Sequence, residues 1–250
     1  MIDIHSHILP GMDDGAQDLY ESLEMVQIAA KSGITAIVAT PHCNIPGGYK
    51  NYFGNEYVSK VQALREAVHA QGLPVKILPG TEVMGTADLP ELLQQGKIMP
   101  LNQSRYLLME FFFDEDPEFV EHLLEEVREL KVIPVIAHAE RYKFVQNDPN
   151  LIYDWRCKGY PIQINKGSLT GKFGSAAMET AKLLLRHYLV SVIASDAHGP
   201  HVRTPDMRKA HEELSGIYSE KYVEMLFDEN PRRICQNEPI LGLKAKRIKY

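Results

Sequence analysis

Ile2-Asp3-Ile4-His5-Ser6-His7 and Ala36-Ile37-Val38-Ala39-Thr40-Pro41-His42 decide the reading of the fold. Each is a short apolar run that ends in histidine. Short continuous apolar runs are how strands read when a parallel sheet buries both of their faces. The pattern recurs, and strands are predicted over 2–5, 34–40, 75–79, 106–111, 132–138, 161–165 and 190–195. Helical stripes alternate with them. Residues 18–31 carry Leu19, Leu23, Val26 and Ala30 on one face, with Gly33 as the stop. Residues 56–71 carry Val61, Leu64 and Val68, followed by Gly72. Residues 117–131 open on a proline and stripe Val120, Leu123, Leu124, Val127 and Leu130. Further helices are predicted over 150–158, 174–187, 204–214 and 219–227. Seven strands alternating with helices describe parallel βα units, closed as a barrel or open as a doubly wound sheet. No Gly-x-Gly-x-x-Gly follows the first strand, which argues against dinucleotide binding.

Composition narrows the function classes. The 250 residues are 44% apolar and 24% charged, an ordinary globular balance with no repeat or low-complexity segment. A formal charge of −6 does not suit a protein built around a broad basic surface for nucleic acid. No apolar run is long enough to span a bilayer, and the opening residues lack the pattern of a signal peptide. Cys43, Cys157 and Cys235 are an odd, widely spaced set that suggests no disulfide framework, so a cytoplasmic location is expected.

The ten histidines are the feature to follow. Strand 1 ends in His5-Ser6-His7 with Asp14 just beyond, and strand 2 runs into His42. Strand 3 runs into Glu82, strand 4 carries Glu110, strand 5 ends in His138, and strand 7 in Asp196-Ala197-His198. Strand 6 ends in Asn165 instead. In a βα barrel those ends open onto one face, where five histidines and four carboxylates would converge. So many close carboxylates repel one another unless cations neutralise them. Nine donors of imidazole and carboxylate type fit two or three divalent ions such as manganese, iron or zinc. Taken singly, each of these residues reads as an ordinary polar strand end or turn; the joint pattern points to metal. His69, His122, His187, His201 and His211 fall in helical or loop patterns and are read as bystanders.

These motifs together resemble the PHP (polymerase and histidinol phosphatase) superfamily, and within it the bacterial metal-dependent protein-tyrosine phosphatases of capsule and exopolysaccharide systems. The resemblance runs through Asp3-Ile4-His5-Ser6-His7, Asp13-Asp14-Gly15, Ala39-Thr40-Pro41-His42, Gly80-Thr81-Glu82 and Glu110-Phe111. It continues through Ala137-His138-Ala139-Glu140-Arg141-Tyr142, Gln163-Ile164-Asn165 and Ser195-Asp196-Ala197-His198. It implies an α/β fold, a distorted seven-stranded (β/α)7 TIM-like barrel, forming a single catalytic domain over 1–250. It also implies three metals. His5, His7, Glu82 and Asp196 would hold the first. Glu82 would bridge to a second, shared with Glu110 and His138, and Asp14, His42 and His198 would hold the third. The basic tail, 243–250, lies outside the resemblance and reads as solvated.

The chemistry expected is hydrolysis of a phosphate monoester by water activated between metals roughly 3.5–4 Å apart. Phosphotyrosine suits it, because a phenolate of pKa about 10 leaves without much help from a general acid. Arg141 and Arg203 match the phosphate-binding arginines of the resembled family and are the candidate catalytic residues; a surface salt bridge is the alternative for each. The aromatic segment 49–53 within the long loop 43–55 reads either as a wall for a tyrosyl ring or as self-packing. Phe112 reads as core or rim packing. A cysteinyl-phosphate mechanism would need arginine six residues after the cysteine, where Tyr49, Gln163 and Leu241 stand. Alternatives are a small-molecule phosphatase of the histidinol phosphatase type, a nuclease of the same superfamily, an amidohydrolase, or a metal-bearing module that only binds a phosphorylated partner. The resemblance further implies a partner, the tyrosine-rich tail of a bacterial tyrosine autokinase.

Overall fold

The apolar runs and stripes become strands and helices close to where the sequence places them. The computed structural model describes residues 1–249; Tyr250, the end of the basic tail, lies outside them. Nine strands are found among the described residues: β1 (Ile2–Ser6), β2 (Ala36–Ala39), β3 (His42–Cys43), β4 (Lys76–Pro79), β5 (Glu82–Met84), β6 (Tyr106–Glu110), β7 (Ile133–Ile136), β8 (Gln163–Asn165) and β9 (Val192–Ala194). The helices are α1 (Leu19–Lys31), α2 (Asn55–Ala70), α3 (Leu89–Gln94), α4 (Pro117–Glu129), α5 (Lys143–Asn147) and α6 (Asn150–Cys157). They continue with α7 (Lys166–Leu169), α8 (Ser175–Arg186), α9 (Arg208–Ser215), α10 (Glu220–Glu224) and α11 (Asn230–Cys235). A π-helical turn, Met225–Glu229, joins α10 to α11 and carries the helix past the expected stop at 227.

Local chemistry explains the boundaries. Asp18 caps α1 by accepting from the Glu21 N–H, and Asp116 caps α4 by accepting from the Glu118 N–H ahead of a first-turn proline. The stripe Val120, Leu123, Leu124 and Val127 is buried as the spacing requires.

All strand pairs are parallel. They form three sheets, ordered β1-β2-β4, β3-β5-β6-β7 and β8-β9. The expectation of seven strands is corrected here: nine form, because β3 and β5 are short extra strands just past β2 and β4. Pro41 offers no N–H and Gly80 and Thr81 intervene, so each ladder breaks and then resumes where the Glu82 N–H donates to the Pro41 carbonyl at 3.2 Å. Single bridges link the sheets at Ser6 to Ala197 and at Ile136 to Ile162. Adjacent strand residues face opposite ways, and the sheets are buried on both faces. Ile4, Val38, Leu108, Val135 and Val192 pack in one apolar cluster with Leu101 and Ile234. Ile37, Leu107, Ile136 and Ile193 pack in the larger one with the helix stripes.

The tail's cations Lys244, Lys246, Arg247 and Lys249 are exposed as expected, but the segment is docked on the body of the protein. Lys246 N–H donates to the His187 carbonyl at 2.9 Å, and the Asn150 side chain holds both backbone groups of Ile248, at 2.9 and 3.2 Å. Ile248 is buried, and the Lys246 and Arg247 cations lie over Tyr188 and Tyr153. An apolar residue at 248 and ring partners for the flanking cations explain why the segment docks. Among the described residues, no helix is long and apolar enough to cross a membrane.

Candidate metal centre

Parallel strands deliver their C-terminal ends to one side, and the nine predicted ligands meet there. His5 Nε2 lies 3.1 Å from Glu82 Oε1 and 3.4 Å from Asp196 Oδ1. His7 Nε2 lies 3.2 Å from Glu82 Oε2 and 3.5 Å from Asp196 Oδ1. His42 Nδ1 approaches Glu110 Oε1 at 2.7 Å and Glu82 Oε2 at 3.1 Å, while its Nε2 faces Asp14 at 3.6 Å. His138 Nε2 sits 3.0 Å from Glu82 Oε1 and 3.7 Å from Glu110 Oε2. His198 Nε2 lies 3.5 Å from Asp14 Oδ1, and its Nδ1 is 3.5 Å from Asp196 Oδ1. Glu82, from β5, is the hub. Of the ten histidines five converge; His69, His122 and His201 are exposed, and His187 and His211 stand half-buried on or beside helices.

Eight of the nine fall into three compact groups, His5, His7 and Asp196; His7, Asp14, His42 and His198; and His42, Glu82 and Glu110, while His138 stands outside them against Glu82 and Glu110. They overlap the three sets implied by resemblance, with His7 and His42 each shared between neighbours and with His42, not His138, grouped with Glu82 and Glu110. Does this set fit divalent metal? His5 Nε2 and His7 Nε2 confront each other at 3.2 Å, so a proton or a cation must lie between two lone pairs. Glu82 Oε2 is buried between two imidazole nitrogens without a hydrogen bond to either. Imidazole and carboxylate oxygens directed at shared points suit zinc, iron or manganese.

Residues that the motifs include but to which the sequence assigns no role hold this geometry. Asp13 Oδ2 accepts from His7 Nδ1 at 2.7 Å and from the His42 N–H at 2.8 Å, leaving His7 Nε2 as the free donor atom. The turn that makes this possible needs Gly15, where a Cβ would lie 2.1 Å from the His7 carbonyl oxygen. Gln163 Oε1 accepts from the His138 N–H at 2.9 Å and faces His5 Nδ1 at 3.1 Å. The Gln163 amide also donates to Asn165, whose own amide donates to Asp196 Oδ2. Asn165, the strand end without a ligand, thus orients one. Asp13 and Gln163 carried no strand-end signal; hydrogen bonds to the converging imidazoles are the feature that finds them.

Electrostatics within the cluster are those of buried carboxylates paired with imidazoles. Burial opposes ionising Glu82 and Asp196, yet His5 beside each holds both well below the carboxylate range. Burial likewise opposes a charge on Asp13, but His7 brings it down to about 2. Burial disfavours charged imidazoles, but Glu82 and Glu110 push His42 up to about 10 and His138 up to about 9. His198 goes the other way, to about 2, through burial and the His7 cation. Protons here occupy places that metal ions can take.

The two arginines converge on the same edge. Arg203 Nη2 meets Asp196 Oδ1 at 2.5 Å, its Nε donates to the Asp196 carbonyl at 3.2 Å, and Arg141 Nη1 lies 3.6 Å from Asp196 Oδ2. The Arg141 guanidinium is sandwiched between Phe113, at 4.5 Å, and Phe173, at 4.3 Å; Phe173 also lies 5.5 Å from Arg203. Phe173 was not anticipated. His138, Asp196 and Arg203 all have left-handed backbone, with φ of 32°, 49° and 51°, an uncommon conformation for residues with a Cβ.

The loop after His42 packs on itself and lays one ring beside the cluster. Asn51 and Tyr52 tie it internally and to Met12, while Tyr49 stacks parallel to His42 with ring centres 6.3 Å apart. Phe112 is exposed rather than core. Cys43 is buried, its thiol donates to the Lys50 carbonyl, and burial pushes its pKa up to about 12, which does not suit a nucleophile.

Comparison with known proteins matches this geometry to a lineage. The chain is 35% identical to the tyrosine-protein phosphatase YwqE of Bacillus subtilis (strain 168), covering 100% of this chain and 97% of that one. It is 31% identical to the tyrosine-protein phosphatase CpsB of Streptococcus pneumoniae, covering 96% and 100%. A crystal structure from work on YwqE and CpsB, described as unique metal-dependent tyrosine phosphatases, superposes with a TM-score of 0.93 at 35% identity over 100% of both chains. A β-aspartyl dipeptidase from Fervidobacterium islandicum AW-1, at 14% identity and a TM-score of 0.54 over 96% of this chain and 74% of that one, shares the fold alone. The family model for capsular polysaccharide synthesis, CpsB/CapC, matches residues 1–236, and the chain belongs to that family.

Proposed function

We propose that this chain is a metal-dependent protein-tyrosine phosphatase that hydrolyses phosphotyrosine with metal-activated water. The observation that carries the reading is the meeting of eight grouped imidazole and carboxylate donors and His138 with Arg141 and Arg203 at one edge. His5, His7, Glu82 and Asp196 would hold one ion; Glu82, Glu110 and His138 a second; Asp14, His42 and His198 a third. Manganese is the first candidate, with iron or zinc as alternatives. When bound, the ions supply Lewis acidity and a water acidic enough to act near neutral pH. Asp13 and Gln163 keep the imidazoles turned so that Nε2 of His5 and His7 face inward. Arg141 and Arg203 take phosphoryl oxygens through planar N–H pairs, a role that a surface salt bridge would not need. Phe113 and Phe173 keep the Arg141 fork in plane. Tyr49, stacked beside His42, offers a flat apolar wall to a tyrosyl ring.

The capsule-linked family membership supports a substrate on the tyrosine-rich tail of a bacterial tyrosine kinase that controls capsule or exopolysaccharide synthesis, in the cytoplasm. We further read the whole chain as one catalytic domain and the three sheets as one distorted seven-stranded barrel, with β2 and β3, and β4 and β5, each an interrupted strand. Rates on a phosphotyrosyl peptide and on histidinol phosphate test the substrate class. The peptide is expected to be the better substrate, and Arg141→Ala and Arg203→Ala each to lower its kcat/KM by about 10–100-fold, the loss of one or two charge-assisted hydrogen bonds. Preference for histidinol phosphate would overturn it.

A further inference from the structure

A cavity of about 80 Å³ adjoins the metal centre and shares Arg203 with it. That is several times the roughly 10–15 Å³ that a single water occupies by this measure, room enough for an oxyanion. Its lining is mainly cationic: Lys166, Lys172 and Lys209 gather with Arg203 around Phe173, against one acidic residue, Asp206. Lys172 and Lys209 are exposed at the rim, whereas Gly167 and Ser195 are buried at the floor.

These cations are poorly neutralised. Lys166 donates one N–H to the Asp206 carbonyl at 2.6 Å, which leaves two of its three donors without a partner among the described residues. The Asp206 carboxylate is itself clasped by Arg208 through Nε and Nη2. Lys172 forms no hydrogen bond or ion pair through its side chain among the described residues, and Lys209 reaches Glu213 only at 3.8 Å. Burial pulls the Lys166 pKa down to about 8; Asp3 opposes this and Lys172 adds to it, so an anion would relieve the site.

We propose that this cavity is a second anion subsite, which binds an acidic group of the substrate polypeptide beside the phosphotyrosine. The inference rests on the phosphotyrosine reading above, since the neighbouring site must hold the phosphate being cleaved. Arg203 spans both, meeting Asp196 with Nη2 while lining the cavity. The chemistry recognised is an oxyanion, either the carboxylate of a flanking Asp or Glu or the phosphate of a second phosphotyrosine.

The test uses metal-loaded full chain and four substrates: phosphotyrosyl peptides flanked by Ala, by Glu or by a second phosphotyrosine, and phenyl phosphate, which has no flank. An anionic flank is expected to raise kcat/KM about tenfold over the Ala-flanked peptide, the size of one charge-assisted contact. Lys166→Met, and separately Lys172→Ala with Lys209→Ala, should abolish that gain while leaving phenyl phosphate hydrolysis unchanged. A gain with Glu, or only with the second phosphotyrosine, identifies the source of the oxyanion. Should Lys166→Met fail to fold, the exposed Lys172 and Lys209 pair carries the comparison. Equal rates on Ala-flanked and anion-flanked peptides, or a gain that survives both sets of substitutions, would overturn the subsite alone. Absence of turnover on every substrate would overturn the phosphotyrosine reading and the subsite with it.

Discussion

Asp13 ties two parts of the centre together, because one carboxylate oxygen holds both the His7 ring and the His42 backbone. Removing it frees the imidazole to rotate and lowers its basicity. Asp13→Ala is therefore expected to weaken metal binding about 10–100-fold, read by titration against a chromophoric chelator. Phe173 is the counterpart on the phosphate side, since its ring lies against both guanidinium groups. Phe173→Leu should raise KM for a phosphotyrosyl peptide more than it lowers kcat, and leave metal affinity unchanged. Gly167→Ala approaches the same ring from behind, with a Cβ 2.8 Å from Phe173 Cε2, and should act in the same direction. Cys43→Ser is expected to retain activity; loss of activity with metal content intact would bring the thiol back into the mechanism. The convergence of the nine candidate donors was legible in the sequence, because a parallel sheet converts strand-end residues into neighbours. Asp13, Gln163 and Phe173 were not, since a residue that orients another has no spacing rule of its own.

At the scale of elements, the strand ends were read well and the chain's other end poorly. Predicted strands 34–40 and 75–79 locate β2 and β4, but a proline's missing N–H and the short span 80–81 turned each ladder into two pieces, which periodicity does not register. The tail misled for a different reason: its Lys and Arg residues suggested solvent, while a single Ile248 decides where it packs. Asn150 satisfies both backbone groups of Ile248 and caps that docking. Asn150→Ala should cost about 1–3 kcal/mol by stranding those groups, a fall in Tm of about 2–4 °C for each kcal/mol, measured by calorimetry.

For the molecule as a whole, the formal charge of −6 takes on a meaning it lacked in composition alone. Four of the acids behind it, Asp14, Glu82, Glu110 and Asp196, lie in the centre, and three divalent ions would carry six positive charges, cancelling the total. Without metal, the imidazoles of His42 and His138 hold protons at about 10 and about 9, above their ordinary 6.5. A raised imidazole pKa contributes stability that is complete below pH 6.5 and fades as pH climbs through 9 and 10. The metal-free protein should thus lose Tm over that interval, whereas the metal-loaded protein, its protons displaced, should hold steady. Metal binding at pH 7 should release protons into a weakly buffered solution, and measured proton uptake would contradict this assignment.

Phosphate release measured beside bound metal tests the central claim most directly. Chelated protein is reconstituted with manganese, iron, zinc or magnesium, and each sample receives phosphotyrosyl and phosphoseryl peptides in parallel. The expected result is no release from the metal-free protein and, with manganese, iron or zinc, release from phosphotyrosine well above phosphoserine at two or three ions per chain. A metal-replete protein that binds the phosphotyrosyl peptide but releases no phosphate, or one that works equally well without metal, would contradict it.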